Sequence, residues 1–194
     1  MTSQGEEVVV RAIDGCPHTF EELASRVLPD LMEDMSEAIR KPQNMSLFSE
    51  KGQGVQSLAK QFDKGADFSG CYVLIGQLGP FYVGISRKVL SRLRQHVNDK
   101  THYGASLAYR MAVNDFLQSE KGKELERSGG IKSVTRSMFM QIHEFREAFE
   151  RAQSELKKMR VAFIEIPNPL VLYLFEAYCA MRLGTAEWNT FRTH

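Results

Sequence analysis

Cysteine is scarce in this chain, with three residues (Cys16, Cys71 and Cys179) in 194. The number is odd and no two stand at metal-ligand spacing, which excludes a disulfide framework and a cysteine-based zinc cluster and fits reduced thiols. Long apolar runs are also missing. Nothing approaches the roughly 20 apolar residues that a membrane-spanning helix requires. The opening MTSQGEEVVV lacks the basic-then-apolar layout of a secretory signal. A cytoplasmic protein with no membrane partner is therefore expected. Net charge is small as well, formally +1 at pH 7, which taken alone argues against a nucleic-acid partner.

The distribution of charge reverses that last inference. Residues 1–68 carry a net −5, residues 69–115 a net +4 and the remainder +2. Positive charge gathers in Arg87, Lys88, Arg92, Arg94, Lys100 and Arg110, a local field suited to phosphodiesters. A solvated helix face is the plainer account of any one of these cations, and the cluster is what outweighs it. With 43% hydrophobic and 25% charged residues, the composition is that of a globular protein. The length suits one domain, or a domain with an appendage.

Segment 19–40 has helical periodicity, a start signal in Thr19 with Glu22 three residues on, and Pro29 to kink or divide it. Segment 41–54 reads as a loop and 55–62 as a short helix. Together, residues 1–67 read as an acidic helical appendage to the core, one that covers the sheet, forms a dimer contact or grips a partner. Segment 104–118 is helical, with Leu107, Met111, Phe116 and Leu117 expected inside. Gly129-Gly130 breaks the chain, and a long helix is expected from Ser133 or Thr135 to Lys158, its Phe139, Ile142, Phe145 and Phe149 packed inward. A third strand follows at 160–166. Pro169 opens a last helix that ends at Gly184.

The most informative stretch is GCYVLIGQLGPFYVGISRKVLSRLRQHV. Strands at 71–75 and 81–84 flank the turn-forming segment 76–80, and each carries one tyrosine, Tyr72 and Tyr82. A helix follows, with Ser86 as its expected N-cap. It sets Lys88, Arg92 and His96 four residues apart in a polar stripe, beside an apolar face of Val89, Leu90, Leu93 and Val97. Phenols and cations thus meet at one edge of a hairpin.

This arrangement resembles the GIY-YIG nuclease superfamily, with the two tripeptides standing here as Gly70-Cys71-Tyr72 and Tyr82-Val83-Gly84. Arg92 follows the second tyrosine by ten residues, His96 comes one turn later, and Glu176 and Asn189 follow in the expected order. The resemblance covers residues 68–194, with 118–158 as a helical insertion. It implies an α+β fold: a small three-stranded mixed or antiparallel sheet flanked by helices.

The implied activity is metal-dependent endonucleolytic hydrolysis of DNA, restriction-like or tied to defence or a mobile element. Nothing in the sequence separates DNA from RNA. Glu176 would bind Mg2+ or Mn2+, and Arg92 would fork onto a phosphate oxygen. Tyr72 or His96 would take the proton from water, and Tyr82 would position water or phosphate. Asn189 would hold the site geometry or the phosphate, and Arg87, Lys88 and Arg94 would contact nucleic acid. A homodimer is the simplest way to cut both strands.

Each residue also has a plainer reading: core tyrosines, a structural histidine, an ion pair between Glu176 and an arginine, and a turn at Asn189. A catalytically silent module of the same fold, binding nucleic acid or protein, is the alternative function.

Overall fold

In a computed structural model, which describes residues 12–130 and 134–191, the expected hairpin forms the middle and one edge of a four-stranded antiparallel sheet. The strands are β1 (Gln43–Asn44), β2 (Gly70–Gly76), β3 (Gly79–Ser86) and β4 (Arg160–Glu165), in the spatial order β1-β4-β2-β3. Three strands were expected, and β1 is the addition. It pairs Gln43 with Val161 and Asn44 with Arg160 inside the segment read as loop. Two residues are too short to leave a period in sequence.

Every residue from Gly70 to Ile75 in β2 is buried, because both faces of this central strand are covered. That accounts for an unbroken apolar run in place of alternation. Tyr72 and Leu74 point into one layer, while Cys71, Val73 and Ile75 point into the other.

Along the chain the helices are α1 (Phe20–Glu22), α2 (Leu28–Arg40), α3 (Val55–Gln61), α4 (Val89–Asn98), α5 (Ser106–Gln118), α6 (Glu120–Arg127), α7 (Arg136–Phe139), α8 (His143–Lys158) and α9 (Pro169–Leu183). Helices α4, α5 and α8 build the layer that receives Tyr72, and α2 and α9 build the layer that receives Cys71. No helix among the described residues is long and apolar enough to cross a membrane. All three cysteines are buried free thiols.

The N-terminal segment is less of an appendage than its charge suggested. Met35 from α2 lies in the α9 layer, while Met45, Phe48 and Leu58 lie in the α4 layer, all fully buried. Thr19 caps α1 in a reciprocal capping box with Glu22. A π-helical stretch, Leu23–Val27, then leads into α2, with Pro29 in its first turn. The backbone stays right-handed helical through Leu23, Val27 and Leu28, so the proline does not divide the helix, and the π-helical stretch before it is where the ladder adjusts to its ring and missing N–H.

The helical insertion is core as well. Phe139, Phe145 and Phe149 are buried, and Phe145 sits 5.7 Å from Phe116 and 5.3 Å from Tyr109, ring to ring. Its expected single helix is broken. Thr135 caps only the four-residue α7, and α8 begins afresh at His143. Ser133, the other expected start, lies outside the described residues.

Candidate active site

Tyr72 stands directly across the β2–β3 ladder from Gly84. A Cβ built on Gly84 would fall inside van der Waals contact of the Tyr72 phenol, so only glycine leaves room for the ring. Gly70 is constrained in the same way by the Ile164 carbonyl of β4. The glycines of both tripeptides are thus close-approach positions in this chain. Gly84→Ala is expected to cost about 1–3 kcal/mol, as overpacking does. Urea denaturation checks this, and an unchanged midpoint would show that the ring moves freely.

The Tyr72 hydroxyl meets Nε2 of His96 at 2.7 Å, and both side chains are buried, at 1% and 0% exposure. The other imidazole nitrogen, Nδ1, is buried and has no hydrogen-bond partner among the described residues. Tyr82 completes an aromatic triangle, its ring 6.3 Å from Tyr72 and 6.4 Å from His96. Burial raises the pKa of the Tyr72 phenol far above its usual value, against the opposing pull of the Arg92 guanidinium. His96 is lowered to about 3, first by burial and then by Arg92. At neutral pH the pair is therefore an uncharged phenol and an uncharged imidazole.

Arg92, one turn before His96, is held rigidly from the α4–α5 connection. Its Nη1 donates to the Gly104 carbonyl at 2.6 Å and to Gln95 Oε1 at 3.2 Å, and its Nη2 donates to Ser106 Oγ at 2.7 Å. A guanidinium has five N–H donors, so two are left over.

The helix that carries both residues starts differently from expectation. Ser86 ends β3, and its Oγ accepts from the Lys88 N–H at 3.0 Å. The cap of α4 is instead Asp67, which accepts from the Leu90 N–H at 2.8 Å, the Ser91 N–H at 3.0 Å and the Ser91 hydroxyl at 2.6 Å. Sequence reasoning missed Asp67, because it lies on a separate segment before β2 and leaves no local capping signature.

The expected polar stripe runs from solvent to interior: Lys88 is exposed, Arg92 half-buried and His96 buried. Arg87 and Lys88 are exposed at the β3–α4 turn, with no ion pair among the described residues. Arg94 departs from expectation. Two residues beyond Arg92 is about 200° around the helix, and there Arg94 donates to the carbonyls of Phe48 and Gln53. Its charge ties the N-terminal segment to α4 rather than facing the tyrosines.

Glu176 comes from α9, in the layer across the sheet from Tyr72. No hydrogen bond or ion pair to its side chain occurs among the described residues, so the arginine pairing considered from sequence is not formed. Burial alone raises its carboxyl pKa. It is close enough to the β3 edge for its charge to raise Tyr82, second only to burial as a cause. The structure thus brings Tyr72, Tyr82, Arg92 and His96 together, while Glu176 acts on Tyr82 through its charge and makes no hydrogen bond to Tyr72 or His96.

Among the described residues no group of three or more His, Cys, Asp or Glu side chains is arranged to hold a metal. A desolvated carboxylate without a partner does suit a hard cation whose other ligands are water and substrate oxygens.

Asn189 pairs with the edge strand like an extra strand residue. Its Oδ1 accepts from the Val83 N–H at 2.9 Å, and its Nδ2 donates to the Val83 carbonyl at 2.7 Å. Of its two expected roles, geometry is the one these bonds support. Asn189→Ala is expected to cost about 1–2 kcal/mol for the two lost bonds and to speed hydrogen exchange at the Val83 amide. Unchanged exchange would count against the pairing. Comparison with protein-family models, curated proteins and solved structures returns no match.

Proposed function

We propose that this chain is a metal-dependent endonuclease of the GIY-YIG type that hydrolyses DNA phosphodiester bonds. The observation that carries the reading is the Tyr72–His96 hydrogen bond of 2.7 Å beside the fixed Arg92, packed over Gly84 at a sheet edge. Arg92 has two N–H donors to offer a non-bridging phosphate oxygen, and Tyr82 orients the water or the phosphate. The proton leaving the attacking water passes to the Tyr72–His96 pair as the P–O3′ bond breaks. A phosphodiester on Arg92 neutralises one of the two influences that hold His96 uncharged, which makes Nε2 a better acceptor. Glu176 would hold Mg2+ or Mn2+, which when bound polarises the phosphate and stabilises the leaving oxygen. Arg87 and Lys88 suit the flanking phosphates.

The burial of Tyr72 and His96, bonded to each other through Nε2, favours a second reading, in which the domain binds nucleic acid or protein without cutting. Incubation of supercoiled plasmid with Mg2+ or Mn2+, with a chelator control, separates the two. Nicking or linearisation that the chelator stops supports the enzyme. Intact plasmid across DNA and RNA substrates, with folded protein, leaves the binding module.

A further inference from the structure

A pocket of about 420 Å3 lies between α5 and the C-terminal segment, lined by Tyr109, Arg110, Val113, Asn114, Leu117 and Trp188. The five from α5 fall on one face of that helix. The pocket also lies close to the site. The Trp188 ring lies 5.1 Å from Phe81, the neighbour of Tyr82 on β3, and Asn189 pairs with Val83 just beyond it. Arg110 donates to the Trp188 carbonyl at 2.7 Å, and its positive charge reaches Tyr82.

We propose that this pocket is a nucleobase subsite, in which one base of the nucleic acid leaves its stack and lies against Trp188, Val113 and Leu117. The inference rests on the endonuclease reading and deepens it, because a base held here keeps its own phosphate on the Arg110–Tyr82 side. The chemistry of the lining selects this occupant. Indole and aliphatic surface receive the π-face of a base. The Asn114 amide matches the donor–acceptor edge of adenine, and Glu187, which also lines the pocket, accepts from an exocyclic amine. Arg110 complements the attached phosphate. An apolar protein side chain would make no use of the Asn114 amide, the Glu187 carboxylate or the Arg110 donors that the Trp188 carbonyl leaves free. The volume lies within the range of small-ligand sites.

Trp188 is the chain's sole tryptophan, so its emission reports on the pocket directly. The full chain is titrated in EDTA with a short DNA duplex bearing one unpaired adenine, and with the same duplex abasic at that position. The adenine duplex is expected to quench Trp188 and to bind about tenfold more tightly than the abasic one. Leu117→Glu, which sets a carboxylate against the base and its phosphate and keeps the reporter, is expected to erase that difference while circular dichroism stays native. Should Leu117→Glu fail to fold, exposed Asn114 decides: Asn114→Ala should reduce the preference for unpaired adenine over unpaired thymine.

Equal quenching by both duplexes, or discrimination that survives both variants, overturns the subsite. A silent Trp188 in a protein that still nicks plasmid overturns the subsite and leaves the nuclease standing. Base-dependent quenching without nicking supports the subsite and removes the nuclease, leaving the pocket in a binding module.

Discussion

Replacing Glu176 with glutamine is expected to abolish metal-dependent cleavage while making the free protein more stable at neutral pH. The two effects share one cause. The carboxylate is half-buried with no cation or hydrogen-bond donor among the described residues, and burial raises its folded-state pKa. An acid so shifted adds nothing below its unfolded pKa of about 4.3. As pH rises from there to the folded value it costs increasing stability, and above the folded value the cost is constant. Glutamine keeps the shape and removes the charge, so the gain should be present at pH 7 and vanish in acid. A structural ion pair would give the opposite sign, because breaking it destabilises.

On the proposed endonuclease reading, loss of Glu176 as a metal ligand would remove several kcal/mol of transition-state stabilisation, a fall of at least about a hundredfold. Melting curves with and without Mg2+ add a third readout. The ion should stabilise the wild type, since it binds only the folded state, and leave Glu176→Gln unmoved. Plasmid nicking by the variant at wild-type rate would remove Glu176 from the site. An equal response of both proteins to Mg2+ would place the ion elsewhere.

The parts of this molecule that were legible in the sequence are those whose physics is local. The 71–97 hairpin and helix, the third strand and the last helix follow from period, turn residues and proline or glycine punctuation. What escaped depends on partners distant along the chain. Asp67 caps α4 from another segment, Arg94 binds carbonyls at Phe48 and Gln53, and Arg92 is gripped by Gly104 and Ser106. Helical spacing gave the side of α4 on which each arginine stands and could not give what waits there. Likewise, β1 owes its existence to β4 rather than to any pattern of its own.

Glu176 illustrates the limit most sharply. An isolated glutamate in an apolar helix marks an expense, but the absence of a partner that makes it chemically suggestive is a property of the packed fold. Which role the acidic N-terminal segment takes was open in the sequence for a related reason. Net charge describes the solvent face of a helix and is silent about Met35 on its inner one.

Acid should destabilise this protein through His96 well before the exposed carboxylates are fully protonated. The imidazole is fully buried, bonded to Tyr72 at Nε2 and, among the described residues, unpaired at Nδ1, and the like-signed Arg92 acts on it. Its pKa falls from 6.5 to about 3 on folding. Between those values the unfolded chain takes up the proton and the folded protein refuses it. Stability is therefore full above pH 6.5 and declines as pH falls, by about 1.4 kcal/mol per unit while this difference persists.

Paired carboxylates contribute a slope of the same sign at lower pH, so the diagnostic quantity is a difference between proteins. Urea denaturation from pH 7 to pH 4 should show the wild type losing stability faster than a Tyr72→Phe/His96→Leu double variant, which removes the titrating group and its partner together. Tyr72→Phe alone should be worse than the double variant at every pH, by about 1–3 kcal/mol, because it leaves both imidazole nitrogens buried without a partner. Parallel wild-type and double-variant curves would mean that His96 reaches solvent and charges like an ordinary histidine. In that case the Tyr72–His96 pair would be open to water in the free protein, and the phenol would not need substrate bound on Arg92 before it could pass on a proton.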